Sequence, residues 1–222
     1  MVKNSNFRTY IKEECIVFKK THEEFGGLSN MASGYNIKIN NINILTSEAL
    51  YQSCRYPHLS KVQKLIISER SPMTAKMVSK KYTKETRSDW NEVRINVMRW
   101  VLRVKLINNF DTFGDLLRKT GEKNIVEESR KDDFWGAKLQ SDGTLVGENV
   151  LGRLLMELRK QYFELTNKQY VVLRPLSIKD FRFLDEDILP VRIKINNMNV
   201  DYEGINRNKE TQQISFLKMG AK

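Results

Sequence analysis

One long amphipathic pattern constrains the fold of this 222-residue chain more than any other feature of its sequence. From Ser88 onward, apolar residues recur every three or four positions: Val93, Val97, Trp100, Val101, Val104 and Ile107. Residues at these intervals share one face of an α-helix, so the pattern predicts a long helix with a single buried stripe. Other elements must cover that stripe, and we therefore predict that this helix is central to the fold.

Shorter patterns on either side of this helix predict both strands and helices. Strands are predicted at 15–18, 35–39, 42–46 and 124–127, with a tight hairpin through the two asparagines at 40 and 41. Helices are predicted from 47 to 56 with Ser47 as the N-cap, near 61–69, after the Ser71-Pro72 pair, at 111–120 and at 149–162. Residues 1–163 are therefore predicted to form a compact, helix-rich α+β domain with a small β portion.

The chain changes character after residue 163. Short β-prone segments at 170–173 and 191–195 are separated by Pro175, Pro190 and the asparagine pair at 196–197, without a convincing helical pattern. We therefore predict that residues 164–222 are a short, β-prone C-terminal extension, packed on or appended to the first domain, and not a second catalytic domain.

The composition excludes several classes of protein. Hydrophobic residues make up 40% of the chain, enough for a packed core, but no apolar stretch near residue 1 is long enough for a signal peptide or membrane span. The cysteines Cys15 and Cys54 and the histidines His22 and His58 have no disulfide or metal-ligand spacing. The phosphate-loop, dinucleotide-binding, serine-hydrolase and zinc-peptidase motifs are also absent. We expect a cytoplasmic protein without membrane span, metal, disulfide or cofactor.

The net charge of +11 is concentrated in the first half of the chain. Residues 1–110 contain 19 Lys and Arg against 9 Asp and Glu, whereas residues 111–222 contain 19 against 18. Between Lys61 and Lys105 the bias is strongest, with twelve basic and four acidic residues. Such a stretch attracts phosphate-bearing ligands, although a merely solvated basic surface explains the composition equally well.

A carboxylate at the start of a helix is the first candidate for chemistry. Glu48, Tyr51 and Gln52 are spaced so that the phenol and the amide lie on the same helix face as the carboxylate. A structural explanation is also open, since an acidic residue in the first turn stabilises the helix dipole without any catalytic role.

Two loop segments are further candidates for a binding site. The segment from Asp132 to Gly136 sets acidic residues beside Trp135, which suits the binding of a ring and its polar edge, although a surface turn with one buried Trp is an equal alternative. The segment Gly26-Gly27-Leu28-Ser29-Asn30 has two glycines that allow successive backbone N–H groups to face a phosphate. A double glycine in a loop is common and is also compatible with no ligand.

Taken in order, these segments resemble the NADAR (NAD- and ADP-ribose-associated) family. The resemblance covers about residues 20–162 and rests on 25–30 (FGGLSN), 46–52 (TSEALYQ), 71–76 (SPMTAK), Asp89-Trp90, 125–127 (IVE), Asp132, Trp135-Gly136, 149–152 (NVLG) and 155–159 (LMELR). It implies a compact α+β domain that hydrolyses N-glycosidic bonds. Some family members act on phosphorylated riboflavin-pathway intermediates, and others remove ADP-ribose from guanine bases in nucleic acid as antitoxins to DNA ADP-ribosyltransferases.

The residues of segments 25–30 and 46–52 and the basic first half of the chain favour the removal of ADP-ribose from nucleic acid. We therefore expect removal of ADP-ribose from guanine in DNA, with ADP-ribosylated DNA as substrate and a cognate toxin as a possible partner. Hydrolysis of riboflavin-pathway intermediates and a non-catalytic ADP-ribose or nucleic-acid binding module are the alternatives. The sequence does not indicate the oligomeric state.

The resemblance also implies roles for particular residues. Glu48 is expected to be central to catalysis, together with Asp132 and with Lys76 or Lys105, whose amine would hold a phosphate or capture the opened ribose as an imine. Substrate-binding roles are expected for Gly26, Gly27, Ser29, Asn30, Tyr51, Gln52, Trp90, Trp135, Gly136 and Asn149.

Overall fold

The computed structural model of the protein describes residues 6–195 and the backbone of residues 200 and 201. Its α-helices are α1 (Ser47–Ser53), α2 (Ser60–Ile67), α3 (Pro72–Lys81), α4 (Trp90–Asn108), α5 (Phe110–Lys119) and α6 (Val150–Leu165). Its strands are β1 (Arg8–Tyr10), β2 (Cys15–Phe18), β3 (Ile37–Ile39), β4 (Ile42–Ile44), β5 (Asn124–Glu127), β6 (Lys138–Leu139), β7 (Leu145–Gly147), β8 (Tyr170–Leu173), β9 (Arg182–Phe183), β10 (Glu186–Asp187), β11 (Val191–Lys194) and β12 (Val200–Asp201). The predicted α+β class, rich in helices, is confirmed.

Helix α4 is central, as its apolar stripe predicts. Val97, Val101 and Val104 are fully buried. The helix packs against α1, α5 and α6 and also contacts β3 and β11. No helix in the described ranges is long and apolar enough to cross a membrane.

The strands of the described chain form small separate sheets. Strand β2 pairs in parallel with β5, which sets Phe18 opposite Glu127. The antiparallel sheets are β1-β7-β6, β8-β11-β12 and the pairs β3-β4 and β9-β10. Six strands were not predicted, because two or three residues are too few for a recognisable alternation. These are β1, β6, β7, β9, β10 and β12. The β2–β5 pair fixes Glu127 at the end of a strand.

Local sequence signals determine how several elements begin and turn. Asn40 and Asn41 adopt positive φ angles of 48° and 63° between β3 and β4, the conformation that a tight hairpin requires. Ser71 caps α3 and accepts a hydrogen bond from Met73 N, with Pro72 at the first helical position, as predicted. The predicted N-cap Ser47 is wrong by one residue. Thr46 caps α1 by accepting from Ala49 N at 3.2 Å, while the buried Ser47 hydroxyl points to Asn30 O.

The described part of the extension packs against the helices. Val171, Leu173, Phe183 and Val191 belong to the same hydrophobic cluster as the stripe of α4. Trp100 Nε1 donates to Arg174 O at 3.0 Å, which connects α4 to the residues after β8. The remainder of the predicted extension, residues 196–199 and 202–222, lies outside the described residues.

Gln63 on α2 connects the helices to the extension, and its replacement should be costly. Its side chain is fully buried; Nε2 donates to Ser53 O and Arg182 O, and Oε1 accepts from Leu184 N at 2.7 Å. Gln63→Ala removes these three hydrogen bonds, although Ser53 O keeps the one from Tyr56 N, and should lower the free energy of unfolding by about 2–4 kcal/mol, measured by urea denaturation. Lys64→Ala, on the exposed face of the same helix, should change it by less than about 0.5 kcal/mol. Equal stability of both variants would contradict this role.

Candidate active site

A cavity of about 470 Å³ collects most of the predicted site residues, a volume typical of small-ligand sites. Helix α1 contributes Glu48, Tyr51 and Gln52. Helices α3 and α4 and the segments around Asn30 and after β5 provide the other walls. These contain, among others, Asn30, Lys76, Trp90, Arg94, Glu127, Asp132 and Trp135.

Two amides hold the Glu48 carboxylate from opposite sides. Asn30 Nδ2 donates to Oε2 at 2.7 Å, and Gln52 Nε2 donates to Oε1 at 2.8 Å. Glu48 is only 5% exposed, and its backbone N–H donates to Asn30 O at 3.1 Å. These bonds satisfy both carboxylate oxygens and so compensate for the burial of the group. A carboxylate fixed in position therefore lines the cavity.

The orientation of the Gln52 amide is set by a second layer of hydrogen bonds. Ser79 Oγ on α3 donates to Gln52 Oε1 at 2.7 Å, and Arg55 Nη1 donates to the same oxygen at 3.3 Å. Tyr56 OH donates to Ser79 O at 2.7 Å. Because Oε1 is occupied by these donors, Nε2 is left to face Glu48. Glu48, Tyr51 and Gln52 thus form part of a site, in addition to any effect of the Glu48 carboxylate on the helix dipole.

Three aromatic rings form one wall of the cavity. The Tyr51 ring lies 5.2 Å from Trp90 and 5.8 Å from Trp135, measured between ring centroids. The Arg55 guanidinium group lies over the Trp90 ring, with its central carbon 5.4 Å from the ring centroid. Burial and the negative charge of Glu48 raise the pKa of the Tyr51 phenol well above its usual range. The phenol therefore stays protonated and serves as a flat surface and hydrogen-bond donor.

Glu127 was not assigned a role from the sequence, although it lies within one of the motifs. It ends β5 on the cavity lining, and no described residue hydrogen-bonds to its carboxyl group. Burial, and then the negative charges of Asp132 and Glu48, raise the pKa of Glu127 to about 7. Glu127 therefore holds a proton at pH values where ordinary carboxyl groups have lost theirs. Arg55 and Arg94, also on the lining, were missed because isolated arginines in a basic stretch carry no distinguishing spacing.

Asp132 is held by the turn that also places Trp135. Asp132 Oδ1 accepts hydrogen bonds from the backbone N–H groups of Phe134 and Trp135 at 3.0 and 2.9 Å. The segment returns to β5 through Ala137 N, which donates to Glu127 O at 2.8 Å. Gly136 is required by this approach, because a Cβ there would lie 2.5 Å from Glu127 O. Gly136 therefore shapes the wall without lining it.

The two candidate lysines lie in different places. Lys76 on α3 is exposed and lines the cavity, within electrostatic range of Glu127. Lys105 on α4 is fully buried and outside the lining, and its Nζ donates to Gly27 O at 2.6 Å and Ser29 O at 3.1 Å. The rings of Tyr35 and Phe113 enclose this amine, and burial lowers the pKa of Lys105 to about 7. The predicted contact of Lys105 with substrate is therefore not found; Lys105 supports the loop that carries Asn30.

The glycine loop also differs from its predicted geometry. The segment Gly26–Leu28 forms a 3₁₀ turn, in which Leu28 N donates to Phe25 O and Ser29 N to Gly26 O. These N–H groups, and that of Gly26, which donates to Glu23 O, are already bonded and do not face a phosphate. The loop contributes by placing Asn30, the one predicted member of the segment on the lining.

Asn149 likewise supports the site from behind. Its Oδ1 accepts from Glu127 N at 3.2 Å, and its Nδ2 donates to Ile125 O at 2.8 Å. It is fully buried and not part of the cavity lining. The predicted contact of Asn149 with substrate is therefore not found. Asn149 instead fixes the end of β5. Among the described residues, no group of three or more His, Cys, Asp or Glu is placed to hold a metal ion.

The buried amine of Lys105 should make the stability of the protein depend measurably on pH. The folded-state pKa is lowered, so between pH 7 and about 10 the unfolded chain binds more protons at this site, and stability rises with pH. From pH 7 to pH 9 this group should raise the unfolding free energy by about 2 kcal/mol. Lys105→Met should lose that increment in urea denaturation. It should also exchange the amide hydrogens of 27–31 faster, because Gly27 O loses the Lys105 donor and Ser29 O keeps only the bond from Ala32 N.

Lys119→Met, at an exposed position, provides the matched control and should keep the pH dependence of the unaltered protein. The same pH dependence in Lys105→Met as in the unaltered protein would show that Lys105 remains charged in the fold.

Comparisons with known proteins agree with the fold. The family model described as the NADAR domain matches residues 17–162. N-glycosidase YbiA of Escherichia coli (strain K12) is 31% identical over 160 residues, covering 72% of this chain and 96% of that protein. N-glycosidase Npun_R5314 of Nostoc punctiforme is 30% identical over 148 residues, 66% of this chain and 91% of that protein. The NMR structure of E. coli YbiA matches with a TM-score of 0.59 and 31% identity, covering 70% of this chain and 88% of that chain.

A larger relative carries the same region as part of a longer chain. Riboflavin biosynthesis protein VVA0006 of Vibrio vulnificus (strain YJ016) is 31% identical over 157 residues, which is 71% of this chain but only 41% of that protein. The family match and the relatives named N-glycosidases identify the chain as a hydrolase that acts on N-glycosidic bonds, as predicted. The chain belongs to the NADAR domain family, which its motifs had indicated.

Proposed function

We propose that this protein is an ADP-ribosyl glycohydrolase that removes ADP-ribose from guanine bases in DNA. The observation that carries the proposal is a single cavity in which three carboxyl groups lie beside an aromatic wall and two arginines. The carboxyl groups suit a sugar carbon that becomes positive as its nitrogen departs, and the rings suit a nucleobase. Arg55 and Arg94 each have a buried Nε without a partner among the described residues, and guanidinium groups suit a diphosphate.

The chemistry divides between two glutamates. The charge of Glu48, fixed by Asn30 and Gln52, stabilises the positive anomeric carbon as the C–N bond breaks and its electron pair moves to nitrogen. Glu127 gives its proton to that nitrogen. Water then forms the new C–O bond, and the proton that it releases restores Glu127. Asp132 and Trp135 would orient the sugar and base, and Lys76 on the lining would hold a phosphate. Alternatively, its neutral amine would condense with the aldehyde of the opened ribose, forming a C=N bond with loss of one water that later hydrolysis returns.

Two alternatives from the sequence remain open to test. Hydrolysis of phosphorylated riboflavin-pathway intermediates is supported by the Vibrio relative named a riboflavin biosynthesis protein. A binding module without activity would keep affinity for ADP-ribose but release no product. Glu127, which keeps its proton up to about pH 7, shares the cavity with Glu48, which two amides hold in place. This pair favours an enzyme over a binding module, because simple recognition needs no acid with a raised pKa.

The deciding experiment offers the purified protein two substrates in parallel. One is a DNA oligonucleotide carrying ADP-ribosylated guanine, and the other is a phosphorylated riboflavin-pathway intermediate with an N-glycosidic bond. We expect release of ADP-ribose from the oligonucleotide, measured by chromatography. Its rate should be at least about tenfold above the rate of hydrolysis of the second substrate. Turnover of the small intermediate alone would replace the proposed substrate, and binding without turnover of either would support the binding module.

The proposed substrate also implies a biological partner. A chain that reverses ADP-ribosylation of DNA would act in the cytoplasm as the antitoxin of a DNA ADP-ribosyltransferase. Co-expression with such a toxin should restore bacterial growth, and Glu48→Gln should not restore it despite equal protein levels. Rescue by the Glu48→Gln variant would mean that any protection works by binding the toxin and not by hydrolysis.

A further inference from the structure

Helix α3 carries an exposed face that the cavity chemistry does not use. Met73, Met77 and Lys80 lie along one side of the helix, with Lys76 and Lys81 on its flanks. All five side chains are exposed, whereas Ala75 and Ser79 on the opposite side are buried. We call these five residues the methionine–lysine face.

The two methionines make this face unusual for a solvated helix. Met73 and Met77 are 57% and 59% exposed and lie four residues apart, so their thioethers are neighbours and form a patch. Each could have been a polar residue at no cost to the helix, since neither packs against the core. Two adjacent exposed methionines between lysines are a surface that an amphipathic partner covers well.

The charge around this patch has one sign. Helices α2 and α3 contain no acidic residue, and across residues 60–81 six basic residues accompany the single acidic Glu69. Among the described residues, no ion pair involves Lys80 or Lys81. Helix α2 packs against α3 and exposes Lys61, Lys64 and Leu65. The charges are thus not neutralised within the described fold, and a polyanion is the complementary partner.

The face is continuous with the cavity through Lys76, which belongs to both. We propose that the methionine–lysine face docks a nucleic-acid strand next to the cavity, with phosphates on the lysines and base or sugar faces against Met73 and Met77. Apolar side chains that contact bases and lysines that contact phosphates are the usual parts of such a surface. This inference rests on the proposed function, because it names where the strand that carries the modified base would lie.

Other occupants fit the same residues less well. A second copy of the chain related by a twofold axis would oppose the same lysines on both partners and repel. An anionic membrane would require a longer apolar face than two methionines. A single strand of nucleic acid satisfies both the charge and the small apolar patch.

The test measures the docking separately from the chemistry. The probe is an unmodified, fluorescein-labelled single-stranded DNA oligonucleotide of about 16 nucleotides, with binding followed by anisotropy at several NaCl concentrations. Lys80→Gln/Lys81→Gln should weaken binding at least about tenfold at low salt and reduce the slope of log K against log salt by about 1.4, the loss of two phosphate contacts. Met73→Ser/Met77→Ser should weaken binding while leaving that slope unchanged. Both variants leave Lys76 and the rest of the cavity lining intact.

A charge-matched control excludes a general effect of net charge. Lys119→Gln/Lys123→Gln removes two exposed positive charges, one at the last residue of α5 and one from the loop after it, and should bind like the unaltered protein. All three double variants should hydrolyse an ADP-ribosylated guanine mononucleotide at the unaltered rate, because that substrate occupies the cavity alone. Equal loss of affinity in the control, no binding by the unaltered protein, or a dimer that the Met73→Ser/Met77→Ser variant abolishes would each overturn the proposed docking.

Failure of the proposed function gives a different pattern. If the unaltered protein binds the oligonucleotide through this face but releases no ADP-ribose from either modified substrate, the docking stands and the proposed reaction is wrong. If it hydrolyses the mononucleotide but all variants bind oligonucleotide alike, the reaction stands and the docking is wrong.

Discussion

Replacing Glu48 with Gln should lower the release of ADP-ribose from ADP-ribosylated guanine DNA by about 10³-fold while leaving the fold intact. The variant keeps the shape of the side chain but removes the negative charge that the developing positive carbon requires. Single-turnover rates with the modified oligonucleotide measure the effect on the bond-breaking step directly.

The hydrogen bonds around residue 48 explain why the fold should survive this change. A glutamine amide presents one donor group, so one of the two surrounding amides must turn. Gln52 is held in place by Ser79 and Arg55, but the buried Asn30 Oδ1 has no partner among the described residues. A flip of the Asn30 amide then offers Oδ1 to the new NH₂ group. The unfolding free energy and the affinity for free ADP-ribose should therefore change little.

Glu92→Gln, at an exposed position in the first turn of α4, removes a charge of the same sign and should retain the full rate. Full activity in Glu48→Gln would remove Glu48 from the mechanism. A folded variant that no longer binds ADP-ribose would instead show that Glu48 acts in binding and not in the reaction.

Replacing Glu127 with Gln should lower activity and raise stability at the same time. The half-buried carboxyl group has a pKa of about 7, well above the usual 4.5, so the folded state binds more protons there than the unfolded chain between these values. The unaltered protein therefore loses stability as pH rises from about 4.5 to 7. Glutamine cannot ionise, and the variant should be more stable by about 3 kcal/mol at pH 8 and by less than about 1 kcal/mol at pH 5.

The same substitution tests the proton transfer. If Glu127 is the general acid, the unaltered enzyme should lose activity as pH rises through about 7, because the carboxyl group gives up the proton that the departing nitrogen needs. Lys76, Arg55, Arg94, Asp132 and Glu48 are the other ionisable groups on the cavity lining. Glu127→Gln should reduce the rate at pH 6 by at least about 100-fold.

Glu122→Gln, an exposed position just before β5, is the matched control and should change neither stability nor the pH profile. An active Glu127→Gln enzyme with an unaltered pH profile would exclude Glu127 as the acid. Lack of any stability gain at pH 8 would show that its carboxyl group is already ionised in the folded protein.

The sequence determined the elements with long or distinctive local patterns. The stripe of α4, the Ser71-Pro72 start of α3 and the asparagine hairpin between β3 and β4 follow from spacing, capping and backbone preference, which act over a few residues. The order of motifs from Gly26 to Arg159 was also enough to identify the family. The grouping of Glu48, Tyr51 and Gln52 on one face follows from helical periodicity alone.

The tertiary structure alone decided which polar groups share the cavity and which support it. Lys76 and Lys105 are chemically equal in the sequence, yet only Lys76 lines the cavity, because α4 turns Lys105 beneath the glycine loop. The state of Glu127 depends on contacts between segments far apart in the chain, since desolvation and the nearby charges of Asp132 and Glu48 raise its pKa. Burial and electrostatic interaction depend on distance in space, and local sequence patterns do not contain that information.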